Sequence, residues 1–133
     1  KGDFKMGGPE FNIGCVDVRD LANAHFEAGT RSNVEGRHII SGTNAGFLEI
    51  ASIVKEKYPS LPISTRKLPK WLLWMIAPTV GMTRKEVKLN IGYPWKANNT
   101  KSKEALGITY RPLRETVEEF FDQLVEHEII KLK

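Results

Sequence analysis

The sequence predicts an α/β fold, helix-rich with a few short strands, and three observations predict it. Two apolar, β-branched runs, "FNIGCVDV" and "GRHIISG", are each followed by apolar residues at helical spacing. The stretch after Pro112 carries the clearest amphipathic pattern in the chain, with Leu113, Val117, Phe120, Phe121 and Leu124 on the face expected to be buried. The 133 residues are 41% hydrophobic and 27% charged, without an internal repeat, a low-complexity tract or a Gly/Ser-rich linker, so they read as a single unit, residues 1–133.

In chain order, "FNIGCVDV" is the first strand. The helix after it, "RDLANAHFEAGTR", places Leu21, Ala24, His25 and Ala28 on one stripe. Asp17 and Asp20 stand at its start, where a carboxylate accepts free amide protons and meets the positive end of the helix dipole. "GRHIISG" reads as a short strand. In the following helix Phe47, Ile50, Ala51, Val54 and Tyr58 share a face, and Pro59 stops it. "LPISTRK" is a further strand candidate. Two less regular helices follow, near residues 70–77 and 84–91, separated by the "PTVGMT" break. "NNTKSKEALGITY" reads as a short helix capped by Thr100 and closed by Gly107. The last helix begins after Pro112.

Charge is modest in sum, +4 with a pI near 9.2, but uneven. Residues 66–103 carry nine lysines and arginines, from Arg66 to Lys103, against few acids, whereas Glu115, Glu118, Glu119, Asp122, Glu126 and Glu128 make the C-terminal helix acidic. One cysteine cannot form an internal bridge and no leader pattern opens the chain, so a reducing, cytoplasmic setting is the expectation. The longest apolar stretch, "WLLWMIAPTVGM", is too short to span a bilayer and contains Pro78 and Gly81. The basic middle lacks a nucleic-acid-binding motif or a dense basic stripe, so no nucleic acid partner is expected.

The motif that most invites a cofactor is "SGTNAGF". A dinucleotide turn needs glycines for the tight turn, for backbone approach to the pyrophosphate and for helix packing, at the N-terminus of a helix. Gly42 and Gly46 supply two of them, and Arg66 with Lys67 fall about 20 residues on, where a ribose- or phosphate-reading residue would sit. The third glycine is missing, and the plainer reading is that Gly42 ends a strand while Thr43 or Asn44 caps a helix. His25 reads as a buried, hydrogen-bonded histidine, because no partner stands at metal-ligand spacing. Cys15, with no cation or second cysteine beside it, reads as a core thiol. Trp71, Trp74 and Met75 stand at i, i+3, i+4 and suit a core helix, a mobile wall over an apolar substrate, or an anionic membrane surface met with the help of Lys67, Lys70, Arg84 and Lys85. Core is the preferred of these.

Three segments in this order, "VDVRDLANAHFEA", "GRHIISGTNAGFLEIASIVKEKYP" and "NNTKSKEALGITYRPLRETVEEFFDQL", resemble the C-terminal portion of the extended, atypical short-chain dehydrogenase/reductases of the NAD-dependent epimerase/dehydratase superfamily. Among these the dihydroflavonol-4-reductase-like carbonyl reductases are the most similar group. The resemblance runs from about Phe11 to Val125. It implies a C-terminal fragment of an NAD(P)-binding, Rossmann-type enzyme, in which "RHIIS" is a late strand of the cofactor-domain sheet and much of the rest is a substrate-binding lobe. It also implies that the family's glycine-rich cofactor turn and its catalytic Tyr-x-x-x-Lys lie upstream, so that Lys1 is not the start of the folded enzyme.

Neither motif can be found here. Tyr58, Tyr93 and Tyr110 are followed four places on by Pro62, Ala97 and Arg114. In the family the tyrosine protonates the carbonyl oxygen as NADPH delivers hydride, and the lysine lowers the tyrosine's pKa. The expectation is therefore NADP in the full-length parent, none bound by this chain alone, and no turnover by this chain. The expected partners are a small-molecule carbonyl substrate, the missing N-terminal half of the same protein, and a second copy, since unpaired edges promote self-association. Ile13, Gly14, Trp71, Trp74 and Met75 are the substrate-pocket candidates, because the resemblance places their segments near the lobe's inner face. Two other classes stay open: a non-catalytic binding module and a basic membrane-surface module.

Overall fold

A computed structural model describes residues 7–93 and 95–132 of the chain; Lys1 lies outside the described residues. Strand β1 (Asn12–Cys15) pairs antiparallel with β2 (Thr43–Gly46), with Gly14 opposite Asn44 and Ile13 opposite Ala45. Two further backbone bonds extend the pairing, Gly42 N–H to the Cys15 carbonyl (2.7 Å) and Phe47 N–H to the Phe11 carbonyl (3.1 Å). Helix α1 (Val18–Thr30) follows β1 and α2 (Phe47–Lys57) follows β2. Then come α3 (Lys70–Ile76), a 3₁₀ turn (Ala77–Val80), α4 (Arg84–Asn90), α5 (Thr100–Leu106) and α6 (Leu113–Glu126).

Apolar side chains are buried in three separate clusters. Ile53, Val54 and Leu61 meet Val117 between α2 and α6. Leu73, Ala77, Val87 and Ile91 join α3 to α4. Ala24 meets Leu106 and Ile108 where α1 crosses α5. Each cluster holds only a few fully buried residues, each contributing about 1.5–3 kcal/mol, so polar links between elements carry weight here. Asp17 caps α1 as its spacing predicts, accepting from the Arg19 N–H at 2.9 Å, and it also accepts from the Thr116 hydroxyl of α6 at 3.0 Å.

Several expectations are corrected. "GRHIISG" forms no strand: the segment that pairs with β1 is the next one, 43–46, residues 37–41 have no ladder partner, and Ile39 is exposed. "LPISTRK" contributes one isolated parallel bridge, Lys67 with Gly8; Pro62 lacks an amide donor. His25 is exposed rather than buried, its Nδ1 2.8 Å from the Leu21 carbonyl, since α1 buries only a narrow stripe around Asp20 and Ala24. Phe120 is likewise exposed, because α2 covers only the Val117 side of α6. Trp71, Trp74 and Met75 are exposed rather than core, since α3 turns Leu73 to α4 instead. Asn99, not Thr100, precedes α5, and Gly107 ends it in the left-handed conformation, φ 64°.

Candidate functional site

The turn that invited a phosphate is a strand. Thr43 and Asn44 lie within β2, not at a helix cap, and Gly46 directly precedes α2. Two amides at the start of α2 are committed within the chain: Gly46 N–H donates to the Glu49 carboxylate (3.3 Å) and Phe47 N–H to the Phe11 carbonyl (3.1 Å). Glu49 thus supplies at this helix end the negative charge that a phosphate would bring. Lys67, one of the two proposed cofactor-reading cations, forms an ion pair with Glu10.

A different feature has the shape of a binding site. An open groove of ≈ 500 Å³ runs between β1 and α4, with Ile13 and Gly14 on its strand side, Met82, Glu86 and Ile91 on its helix side and Trp95 at its rim. Its surface is mostly apolar, as small-molecule sites are. Glu86 is the acid in this wall, but its carboxylate accepts from the Thr83 N–H (2.7 Å) and hydroxyl (2.8 Å). Those bonds, the backbone one foremost, hold its pKa below the usual range, so Glu86 stays ionised as a helix cap rather than serving as a proton donor. Lys70 fixes the far end of the same wall, donating to the Ile91 carbonyl (2.6 Å) and lying 4.5 Å over the Tyr93 ring.

Trp95 is brought to the groove by two asparagines. Asn44 accepts from the Ala97 N–H (2.7 Å) and donates to the Ala97 carbonyl (3.1 Å). Asn99 donates to the Ser41 carbonyl (2.6 Å). Of the sequence-derived pocket residues, the structure brings Ile13 and Gly14 together in the groove wall and leaves Trp71, Trp74 and Met75 on the outer face of α3. Trp74 there lies 4.6 Å beneath the Arg84 guanidinium. Sequence reasoning missed Trp95, Asn44 and Asn99 as site residues; a tryptophan three residues before an asparagine pair was visible, but not the β2 register that gives it meaning.

A second groove, ≈ 630 Å³, lies between β1 and α6 and is lined by Cys15, Ile50, Val117, Phe120 and Phe121 among others. Burial, and then the negative charge of Glu49, raise the pKa of the Cys15 thiol, so it is poorly suited to act as a nucleophile. Among the described residues no group of acids, histidines and cysteines could hold a metal ion.

No family model matches the chain. Individual proteins do. The chain is 27% identical over 124 residues to a cinnamoyl-CoA reductase, CAD2, of Medicago truncatula, covering 93% of this chain and 32% of the relative. It is 29% identical over 121 residues to the NADPH-dependent methylglyoxal reductase GRE2 of Saccharomyces cerevisiae, covering 90% and 31%. The solved structure of yeast methylglyoxal/isovaleraldehyde reductase Gre2 with NADPH superimposes with a TM-score of 0.61 at 25% identity, over 91% of this chain and 32% of that one. A Gre2 of Candida albicans, also solved with NADPH, shares the fold with a TM-score of 0.59.

These relatives are reductases of the extended short-chain dehydrogenase/reductase type, and the chain is similar to one part of them. It spans about a third of the length of these relatives. Its helix-rich α/β architecture matches one part, about a third, of the larger Rossmann-type Gre2 structures. The relatives are reductases, and those solved structures hold NADPH. Among the described residues no helix is long and apolar enough to cross a membrane.

Proposed function

We propose that this chain is the substrate-binding, C-terminal part of an NADPH-dependent carbonyl reductase. In this reading it walls the carbonyl substrate while hydride and proton come from residues outside the chain. The groove between β1 and α4 carries the proposal. It is apolar, it is sized for a small molecule, and its acid, Glu86, is committed to capping. Such a surface excludes water and orients a substrate without itself moving a proton. Ile13 and Gly14 form the strand side of that wall. Trp71, Trp74 and Met75 face outward and take part only where further protein folds over α3.

The test is calorimetric titration of the isolated chain with NADPH, beside an NADPH-oxidation assay of the longer reading-frame product with methylglyoxal. The expected result is no saturable cofactor binding by the chain and turnover by the longer protein. Saturable binding lost on Arg66→Ala and Lys67→Ala would overturn the proposal.

The exposed tryptophans of α3 and the open edges of a two-stranded sheet also support self-association of the isolated chain. Size exclusion with light scattering tests it, and a clean monomer at high concentration would refute it.

A further inference from the structure

Trp95 stands over a gap in β1. A Cβ built on Gly14 would lie 3.3 Å from two carbons of the Trp95 ring and 2.9 Å from the Ser41 Oγ. The side chain that Gly14 lacks is therefore space that the indole occupies. Asn44 is the cross-strand partner of Gly14, and directly opposed residues in an antiparallel pair project to the same face. From that position Asn44 binds both the N–H and the carbonyl of Ala97, two residues beyond the tryptophan. Asn99 ties the same segment to the Ser41 and Gly42 carbonyls. An indole at a groove rim is half exposed, at 52%, and a free one would sample many positions. Here the backbone on its C-terminal side is held at two points, to Asn44 of β2 and to the Ser41 and Gly42 carbonyls just before that strand.

We propose that Trp95 is a specificity-determining residue of the groove and that Asn44 is its positioning residue. The indole packs against a planar or branched apolar substituent of the carbonyl substrate, with Met82 as the adaptable group of the opposite wall. Because Asn44 and Gly14 fix the ring before the substrate arrives, little ordering entropy is lost on binding. A small polar carbonyl compound gains nothing from this contact. The inference rests on the reading of the groove as a substrate site.

The experiment uses the full-length protein and compares NADPH-dependent reduction of 2-naphthaldehyde with that of methylglyoxal. Trp95→Leu raises KM for 2-naphthaldehyde about tenfold and leaves methylglyoxal within about twofold. Trp95→Phe recovers most of the difference, and Asn44→Ala shifts the KM ratio in the same direction as Trp95→Leu. Equal losses on both aldehydes, or no change in their ratio, would overturn the inference while leaving the reductase reading intact. A parallel calorimetric titration with 2-naphthylmethanol, which needs no turnover, separates the two. If the wild type binds this alcohol and Trp95→Leu weakens binding about tenfold, the inference stands even where no aldehyde is reduced and the reductase reading fails. An unchanged affinity, or no binding by the wild type, overturns it.

Discussion

Asp20 and Arg111, ninety-one positions apart in the chain, are joined through both the backbone and the side chain of the arginine. The Arg111 N–H donates to one carboxylate oxygen of Asp20 at 2.7 Å and the guanidinium to the other. Asp20 is buried, at 4% exposure, so these bonds satisfy a carboxylate that water does not reach. They fix α1 against the segment that leads into α6.

Asp20→Asn keeps the shape but replaces an ionised acceptor with an amide. It lowers stability by about 2 kcal/mol, read as a shift of the urea midpoint. A change within the scatter of surface substitutions would show that the Arg111 link is incidental.

Acid weakens the same corner through Asp17. The Arg19 guanidinium foremost, then the Arg19 N–H and the Thr116 hydroxyl, hold the Asp17 carboxyl well below the usual carboxylate range. A carboxyl whose pKa is lowered by folding stabilises above its unfolded pKa, about 4, and that contribution is lost as pH falls from there toward the folded value. Urea midpoints of wild type and Asp17→Asn therefore keep a constant gap from pH 7 to about pH 5 and approach each other as pH falls below about 4. A gap independent of pH would refute the assignment.

Gly107 holds φ at 64° where α5 ends, and a Cβ there would lie 3.2 Å from the Arg31 guanidinium. Gly107→Ala costs about 1 kcal/mol, measured as a lower Tm in calorimetry, and no loss would mean that the turn adapts.

Leu106, at 1% exposure, joins Ala24 and Ile108 in the cluster between α1 and α5. Leu106→Ala leaves a cavity and costs about 3 kcal/mol. Thermal unfolding checks it, with the larger of the two α5 effects expected here.

Cys15 reacts slowly. Burial and the neighbouring Glu49 both disfavour its thiolate, and the thiolate is the reacting species. Alkylation by iodoacetamide at pH 8, followed by mass spectrometry, is expected to lag behind the urea-unfolded chain, and equal rates would place the thiol in open solvent.

The sequence by itself determined most of the helices and a resemblance to one group of reductases. Period-3.6 spacing of Ile50, Ala51 and Val54, the Asp17 cap and the glycine that closes α5 are local signals, and local signals survive in the fold because they need no distant partner. The ordered motifs pointed to extended short-chain reductases, and the relatives found are reductases of that type. Pairing and burial were decided only by tertiary structure. Residues 37–41 have strand composition but pair with neither strand, while the less strand-like Thr43–Gly46 takes the place opposite β1. Trp71 and Trp74 are apolar enough for a core, yet a seven-residue helix gives α4 only the face around Leu73. Trp95 became a groove residue because Gly14 and Asn44 fall in register, a relation between positions thirty apart that periodicity along the chain does not encode.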